Sequence, residues 1–219
     1  MNKLVIFGLG ELAEVADFYF SHDSEYDVAC FSAHREYIRD VNFMDRPVVP
    51  FEEICDRCSP DEYDMFVAVG YSGMNQHRRD ICDDAKQKGY QLASYISSKA
   101  ITWPGFSCGE NCFILEQNNI QPFVEIGNNV VMWSANHIGH HSVIEDNVYL
   151  ASHVVISGRV TVGANSFLGV NATVRDNVTI GKRCLVGAAS YVARDLEDNS
   201  ILKPVQSQKT HLTSDMVNI

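Results

Sequence analysis

The chain has 219 residues, 46% of them hydrophobic, and a net charge of −11. This length is enough for one small domain plus a repeat with its own core. No apolar run is long enough to predict a membrane span, and an acidic chain without clustered lysine and arginine is a poor partner for nucleic acid. Seven cysteines without a framework spacing favour free thiols in a reducing compartment.

Residues 1–95 alternate short apolar runs with polar helical stretches, which predicts a small α/β unit with a parallel sheet. The predicted strands are 4–7, 28–31, 65–69 and 92–96. The first strand begins almost at once, without the basic and apolar series of a secretory signal. We therefore expect a cytoplasmic protein.

The first strand leads into a G-x-G-x-x-A turn, Gly8 to Ala13, and then into a helical stretch at 14–20. Backbone amides at such a helix start can bind a diphosphate. No acidic residue follows the second strand to bind a ribose hydroxyl, and the unit is about half a Rossmann domain. We expect half a dinucleotide, such as a nucleotide sugar; the alternative is that the glycines only tighten the turn.

A second glycine turn follows the third strand and runs from Gly70 to Arg78. The ends of parallel strands share one edge of a sheet, so Tyr71, Asn75 and Arg78 could contact the same ligand. The alternative is that these are solvent-exposed turn residues without a role in binding.

Beyond residue 95 the chain places an aliphatic residue at every sixth position, which predicts a parallel β-helix with three hexads in each coil. A run of sandwich strands is the alternative. The residue four places after each anchor is mostly small or β-branched and should share the interior. Glycine follows several anchors, where we expect tight corners that favour a residue without Cβ. The anchors are Ile114, Ile120, Ile126, Met132, Ile138, Ile144, Leu150, Ile156, Val162, Leu168, Val174, Ile180, Val186 and Val192.

The repeat is expected to stop after Val192, which gives a β-helix domain at residues 96–196. Residues 97–105 look like a junction and an imperfect first coil. Residues 197–219 are polar and are predicted to form a cap and a tail.

The densest group of reactive side chains surrounds His140. In the hexad register His137, His140 and His141 point outward, and Gly158, eighteen residues after His140, leaves room beside the imidazole for a thioester. A neutral imidazole can take a proton from an attacking amine or hydroxyl. Two alternatives remain: zinc bound by these histidines and His153, and surface histidines that only bond to neighbouring turns.

Four outward positions, Val131, Tyr149, Phe167 and Leu185, lie eighteen apart and form one apolar column. Exposed stripes of this kind usually mark a partner surface. We expect a cyclic homotrimer with His140 near a cleft between two subunits. The alternative is that the C-terminal tail covers the column.

These features resemble the hexapeptide-repeat sugar acyltransferases related to the sialic acid O-acetyltransferase and to the UDP-4-amino-sugar N-acetyltransferase of the bacillosamine pathway. The resemblance covers nearly the whole chain and is most specific at residues 136–146 and 156–163. It implies an N-terminal Rossmann-like half domain, a left-handed β-helix, a trimer, acetyl-CoA as co-substrate and no metal.

The resemblance also implies roles for individual residues. His140 matches the general base, and His141 stands where the family usually has an acidic residue that tunes this base. Gly158 matches the glycine whose amide meets the acetyl carbonyl. Val170 and Ala188 match further backbone contacts to acetyl-CoA.

For the nucleotide sugar, the resemblance implies contacts from both glycine turns and from the end of the second strand. Relatives often have a G-x-x-G-x-G turn and acidic residues after the second strand, and this chain departs from both patterns. The implied contacts are Gly8, Leu9, Gly10, Ser32, Ala33, Gly70 and Tyr71.

We therefore predict an acetyl-CoA-dependent N-acetyltransferase that acts on the amino group of a nucleotide-linked amino or dideoxyamino sugar, for the synthesis of a surface polysaccharide or glycan. O-acetylation of a sugar hydroxyl by the same base is the alternative. From other classes, a zinc-dependent β-helix hydratase and a non-catalytic trimeric scaffold remain open.

Overall fold

The structure is a computed structural model that describes residues 2–207, 209 and 211. Residues 208, 210 and 212–219 of the expected tail lie outside the described residues. Within the described part of the chain, no helix is long and apolar enough to cross a membrane.

The N-terminal unit is an α/β domain, as the alternating pattern predicts. Its elements are β1 (Asn2–Phe7), α1 (Glu11–His22), β2 (Tyr26–Ala33), β3 (Asn42–Phe43), β4 (Arg46–Pro50), α2 (Ile54–Arg57), β5 (Tyr63–Val67) and α3 (Gln76–Gln87), with 3₁₀ turns at Arg35–Tyr37 and Phe51–Glu53. The sheet has the order β3-β4-β2-β1-β5 and is parallel except for β3. The first glycine turn therefore lies at the carboxyl edge, between β1 and α1.

Two details of this unit differ from the expectation. The stretch 92–96 is not a strand of the sheet, because Leu92 makes one isolated bridge to Met65 and the chain then leaves for the β-helix. The strands β3 and β4 were not predicted. They form an edge with prolines at positions 47 and 50, and proline weakens the sequence signal of a strand.

The rest of the chain forms a parallel β-helix with three faces. The first face contains β6 (Tyr95–Ile96), β7 (Phe113–Ile114), β10 (Val131–Met132), β13 (Tyr149–Leu150), β16 (Phe167–Leu168), β19 (Leu185–Val186) and β21 (Ile201–Leu202). The second face contains β8 (Asn119–Ile120), β11 (His137–Ile138), β14 (Val155–Ile156), β17 (Thr173–Val174) and β20 (Tyr191–Val192). The third face contains β9 (Glu125–Ile126), β12 (Val143–Ile144), β15 (Thr161–Val162) and β18 (Thr179–Ile180).

The predicted register is confirmed by the strand pairs. Neighbouring strands pair residues eighteen apart, such as Val131 with Tyr149 and Ile138 with Ile156. All fourteen anchors are buried, and so are the residues four places after them, except Val124 and Leu196, which are partly buried. Polar residues at these inner positions are satisfied locally: the hydroxyl of Ser142 donates to the Ser157 carbonyl and accepts the Val160 amide.

The glycines after the anchors have a different reason from the one expected. The tight corners are formed three residues after the anchors from Ile114 to Val186, where non-glycine residues have φ between 56° and 66°. A Cβ on Gly139 would instead lie 2.6 Å from the Gly158 nitrogen, and one on Gly163 would lie 2.6 Å from the Gly181 carbonyl carbon. Glycine is needed here because successive coils stack backbone on backbone.

The β-helix also continues beyond the expected end of the repeat. Leu196 bridges to Ile180, and β21 pairs with β19 at a spacing of sixteen residues instead of eighteen. Two residues are missing from this last coil, so the six-residue spacing is lost although the stacking persists. The sequence pattern thus ends one coil too early.

Three of the four residues of the apolar column, Val131, Tyr149 and Phe167, pack against the N-terminal unit of the same chain, which neither expected alternative anticipated. Val131 and Tyr149 are buried with α1 side chains such as Phe20 in one core cluster. The Tyr71 ring packs on the rings of Tyr149 and Phe167, with centroids 5.0 and 4.8 Å away. The column is therefore a surface between two parts of one chain and gives no support for a trimer.

Four asparagines fix the docking of the two parts. They occupy the positive-φ position of the corner between the third and first faces, are nearly fully buried, and are called here the asparagine corner: Asn111, Asn129, Asn147 and Asn165. Asn111 accepts the Val67 amide of β5 at 2.7 Å, and Asn129 donates to Asn147 at 2.8 Å. This corner thus bonds to the N-terminal unit and between successive coils.

Arg78 belongs to the same contact and not to a ligand site. It is fully buried and donates to the Asn129 side chain at 2.9 Å and to the Asn75 side chain at 3.0 Å. Burial lowers the pKa of its guanidinium to about 10, so it stays charged at neutral pH. The expectation that Asn75 and Arg78 contact a ligand is wrong, and so is the alternative that they are solvent-exposed.

Candidate active site

The corner between the second and third faces is the one that does not border the first face, so the N-terminal unit leaves it open. We call it the histidine corner, and its positive-φ residues are Phe123, His141, Arg159 and Asn177. His140 immediately precedes this position, and both histidines are exposed. The fold therefore presents two imidazoles at a solvent-accessible edge.

His140 is held by its neighbours on adjacent coils. Its backbone amide donates to the Gln121 side chain at 2.9 Å, and its carbonyl accepts the Arg159 amide at 2.9 Å. Its Nδ1 lies 3.0 Å from Nδ1 of His141, so a hydrogen bond joins the two rings when one of these nitrogens carries a proton. When His140 donates this proton, its Nε2 is left free as a base.

Gly158 lies directly beside the His140 ring on the next coil. A Cβ on Gly158 would be 2.8 Å from Cε1 and 3.0 Å from Nε2 of His140. The missing side chain therefore keeps open the space next to the candidate basic nitrogen. This is the space in which the sequence places the thioester.

The three residues expected to bind acetyl-CoA share one backbone property. Gly158, Val170 and Ala188 each stand two places after an anchor, and among the described residues their amides donate no hydrogen bond to another coil. Val170 is 44% exposed. These amides are therefore available to a ligand.

Within one chain, however, these residues do not meet. Gly158 lies at the histidine corner beside His140. Val170 and Ala188 lie at the corner between the first and second faces, so the width of the second face separates the two groups. A single chain presents two parts of the expected acetyl-CoA site on different edges.

The N-terminal unit has a cavity of about 590 Å³ at the carboxyl edge of its sheet, called here the nucleotide cavity. Its lining includes Gly8, Leu9 and Ala33 from the predicted set. Gly8 has φ 132°, and a Cβ there would lie 2.7 Å from the Ala68 carbonyl oxygen, so the turn requires glycine. At the start of α1, Gly10 makes no side-chain cap, which leaves helix amides available to an anion.

The other residues of the expected nucleotide set lie elsewhere. The Ser32 side chain is fully buried, and its carbonyl accepts the Gly8 amide at 2.8 Å. The Gly70 carbonyl accepts a hydrogen bond from Arg78, and Tyr71 packs on the first face. Neither Gly70 nor Tyr71 lines the nucleotide cavity.

The cavity also contains residues that the sequence reading missed. His34, Tyr37 and Asp80 line it, and His34 Nδ1 lies 3.0 Å from the Glu52 carboxylate. An acidic group thus stands close to the end of the second strand after all, but it comes from the segment after β4. A search for an acidic residue directly after β2 does not find Glu52, because Glu52 lies further along the chain.

The four histidines considered for zinc do not converge. His137 lies on the second face, and His153 lies at the corner between the first and second faces, away from His140 and His141. Across residues 2–207, 209 and 211, no group of three histidine, cysteine or acidic side chains has the arrangement to bind a metal ion.

The chain combines an α/β unit with the repeat of the hexapeptide transferases. Residues 159–194 match the family model of the bacterial transferase hexapeptide with six repeats. No significant match to a curated protein sequence is found. In fold and repeat, the chain is similar to the left-handed β-helix acetyltransferases that have an N-terminal α/β unit.

Solved structures agree with this class over nearly the whole chain. The acetyltransferase domain of PglB from Neisseria gonorrhoeae has a TM-score of 0.80 at 22% identity, over 92% of this chain and 96% of that one. PerB from Caulobacter crescentus, solved with CoA and GDP-perosamine, has a TM-score of 0.80 at 26% identity, over 92% of this chain and 93% of that one. WeeI from Acinetobacter baumannii has a TM-score of 0.70 at 15% identity, over 90% and 94%.

Proposed function

We propose that the protein is an acetyl-CoA-dependent N-acetyltransferase acting on the amino group of a nucleotide-linked amino sugar. The observation that carries the proposal is the pairing of an exposed imidazole, His140, with the side-chain-free Gly158 on the next coil. PerB, which has the same two-part fold, was solved with CoA and a nucleotide-linked amino sugar, and this supports the same substrate class.

The reaction follows from the positions of these groups. Nε2 of His140 takes a proton from the sugar amine as its nitrogen attacks the carbonyl carbon of the thioester. The Gly158 amide donates a hydrogen bond to the oxygen that becomes negative in the tetrahedral intermediate. Collapse breaks the carbon–sulfur bond, the proton on His140 passes to the leaving CoA sulfur, and the products are the acetamido sugar and CoA. No covalent enzyme intermediate is needed.

The same proposal includes a homotrimer, because a single chain separates the parts of the acetyl-CoA site. Gly158 lies at the histidine corner, whereas Val170 and Ala188 lie across the second face. If two β-helices stand side by side, the histidine corner of one can face the Val170 corner of the other. The acetyl-CoA cleft is then formed by two subunits, and this juxtaposition also holds amine and thioester at attack distance.

We place this reaction in the cytoplasm, in a route to a surface polysaccharide or glycan. The chain has seven free cysteines, and this fits a reducing compartment. Four of them are buried in the N-terminal unit or at the start of the β-helix: Cys30, Cys58, Cys82 and Cys112. The two substrates, acetyl-CoA and an activated sugar, are both intracellular metabolites.

A thermal-shift panel with turnover measurement tests the function. UDP-, dTDP-, GDP- and CMP-linked amino sugars are added with and without CoA, and release of CoA thiol is followed with acetyl-CoA. We expect CoA and one nucleotide class each to raise the melting temperature, since both bind only the folded state, and the same nucleotide sugar to support turnover. Absence of CoA binding would contradict the proposal. An acetylated hydroxyl in the product would favour O-acetylation instead.

A further inference from the structure

A second cavity, of about 560 Å³, lies at the N-terminal end of the β-helix beside the histidine corner. It is formed between the junction segment 103–109 and the coil segment 120–126, and is called here the junction cavity. Its volume is within the range of about 300–1,000 Å³ that is usual for small-molecule sites. None of the residues assigned so far to acetyl-CoA or to the nucleotide lines it.

The junction cavity is in direct contact with the candidate base. Gln121, which lines it, accepts the backbone amide of His140 at 2.9 Å. The ring of Phe123, which also lines it, has its centroid 4.7 Å from that of His141. The cavity therefore opens at the two imidazoles from the N-terminal side.

Gly158 lies on the opposite side of the same ring. Coils follow one another along the helix axis, so Gln121, His140 and Gly158 belong to three successive coils in this order. The acyl group that meets Gly158 occupies the C-terminal side of His140. The space on the N-terminal side is thus left for the molecule whose proton His140 removes.

The lining has the character of a carbohydrate site. Trp103 and Phe123 are 57% and 74% exposed, which leaves large aromatic surfaces in the open. Gln121 and Glu125 add an amide and a carboxylate. A sugar ring has apolar C–H faces that stack on aromatic rings and a polar edge that bonds to such groups.

We propose that the junction cavity binds the pyranose ring of the acceptor amino sugar, with Trp103 and Phe123 stacking on it and the amine directed at His140. This inference rests on the proposed function and adds the residues that recognise the sugar as distinct from its nucleotide.

The test compares Trp103→Ala and Phe123→Ala with wild type in steady-state kinetics, using acetyl-CoA and the nucleotide amino sugar that the wild type uses best. We expect the KM for the sugar substrate to rise about tenfold, the size of one good stacking contact, in each variant. The KM for acetyl-CoA should stay within about twofold, because that ligand lies beyond His140. Trp103→Phe should restore most of the loss.

Phe18→Ala is the matched control, since Phe18 is 59% exposed on α1 and lines neither cavity. An unchanged KM for the sugar in both cavity variants overturns the subsite while the function stands. A gain of activity with butyryl-CoA in place of the KM effect also overturns it, because the cavity then receives the acyl chain. A wild type that acetylates no nucleotide amino sugar overturns the function and the subsite together.

Discussion

The asparagine corner and the histidine corner are two edges of one β-helix with the same backbone. Each turns through a residue with φ near +60°, as at Asn129 and His141. At the first edge the side chains are buried and hydrogen-bonded to the N-terminal unit, whereas at the second they are exposed. The backbone alone makes the turn, so the side chain at this position is free to serve docking at one edge and chemistry at another.

The difference between the two edges arises from what lies against them. The first face presents an apolar column, and the N-terminal unit packs on it and reaches the asparagine corner through Arg78 and Val67. The histidine corner borders only the other two faces. Substitutions at the buried asparagine corner should therefore change the free energy of unfolding. Substitutions at the exposed histidine corner should instead change the rate of the reaction.

The largest effect is expected from His140→Ala. Loss of the general base should lower kcat by about 10²- to 10⁴-fold. The affinity for acetyl-CoA and the melting temperature should change little, because the side chain is exposed. Single-turnover and steady-state assays with calorimetric CoA binding measure these quantities. His22→Ala on α1 is the control for loss of an exposed histidine, and near-normal turnover of His140→Ala would show that the base is assigned wrongly.

Asn129→Ala tests the other edge. This side chain accepts hydrogen bonds from Arg78 and Asn111 at 2.9 Å, and its loss leaves a buried guanidinium short of a partner. We expect the free energy of unfolding to fall by about 2–4 kcal/mol in urea titrations, with kcat unchanged for the folded enzyme.

Asn177→Ala is the matched control for that substitution. Asn177 has the same φ but stands exposed at the histidine corner. Its replacement should cost only the backbone strain of about 1 kcal/mol. Equal losses at the two positions would contradict the docking role of the asparagine corner.

Substitutions at two glycines, Gly163 and Gly158, distinguish a role in the stacking of coils from a role in catalysis. A Cβ at Gly163 meets the backbone of Gly181 at 2.6 Å, so Gly163→Ala should destabilise the fold by about 1–3 kcal/mol. The three atoms nearest to a Cβ at Gly158 all belong to the His140 side chain, which can rotate away. Gly158→Ala should therefore keep its thermal stability and lose kcat. The reverse pattern in melting curves and turnover would refute the assignment of Gly158.

His141 is expected to act through His140, as a positioning residue. His141→Gly keeps the positive φ without strain and removes the partner of the His140 Nδ1. We expect kcat to fall about fivefold, because one hydrogen bond of about 1 kcal/mol orients the ring. His141→Asn offers an amide oxygen at a similar place and should recover most of the rate. No recovery, together with a lowered melting temperature for both variants, would indicate a structural role only.

The smallest effect on stability is expected at the third edge of the β-helix, which is the corner between its first and second faces. Ala135 turns the corner between the first and second faces with φ 66°, which alanine adopts with strain. Asparagine tolerates this conformation, so Ala135→Asn should raise the free energy of unfolding by up to about 1 kcal/mol. A decrease in thermal unfolding temperature would mean that the side chain at this corner meets something that the shared backbone geometry does not reveal.

Several features of the protein were predictable from sequence because a β-helix converts spacing along the chain into contact in space. The anchors define the interior, and the eighteen-residue translation places Gly158 beside His140. The anchors and Gly158 were predictable because their contacts repeat with a fixed period. The glycine turn after β1 was predictable from its motif alone, since the contact that requires Gly8, with the Ala68 carbonyl oxygen, comes from a distant part of the chain.

Other features depended on how distant surfaces meet, and no period encodes that. The apolar column predicts a covered surface, but its sequence is compatible with another subunit, the tail or the N-terminal unit as the partner that covers it. The role of Arg78 and the approach of Glu52 to His34 depend on segments that come together only after docking. The last coil was hidden by a two-residue deletion that changes the spacing but leaves the hydrogen bonds between coils intact. Sequence by itself determined the register and the outward direction of the base, whereas the tertiary structure decided which edge was buried, because that choice comes from the complementarity of two separately folded surfaces.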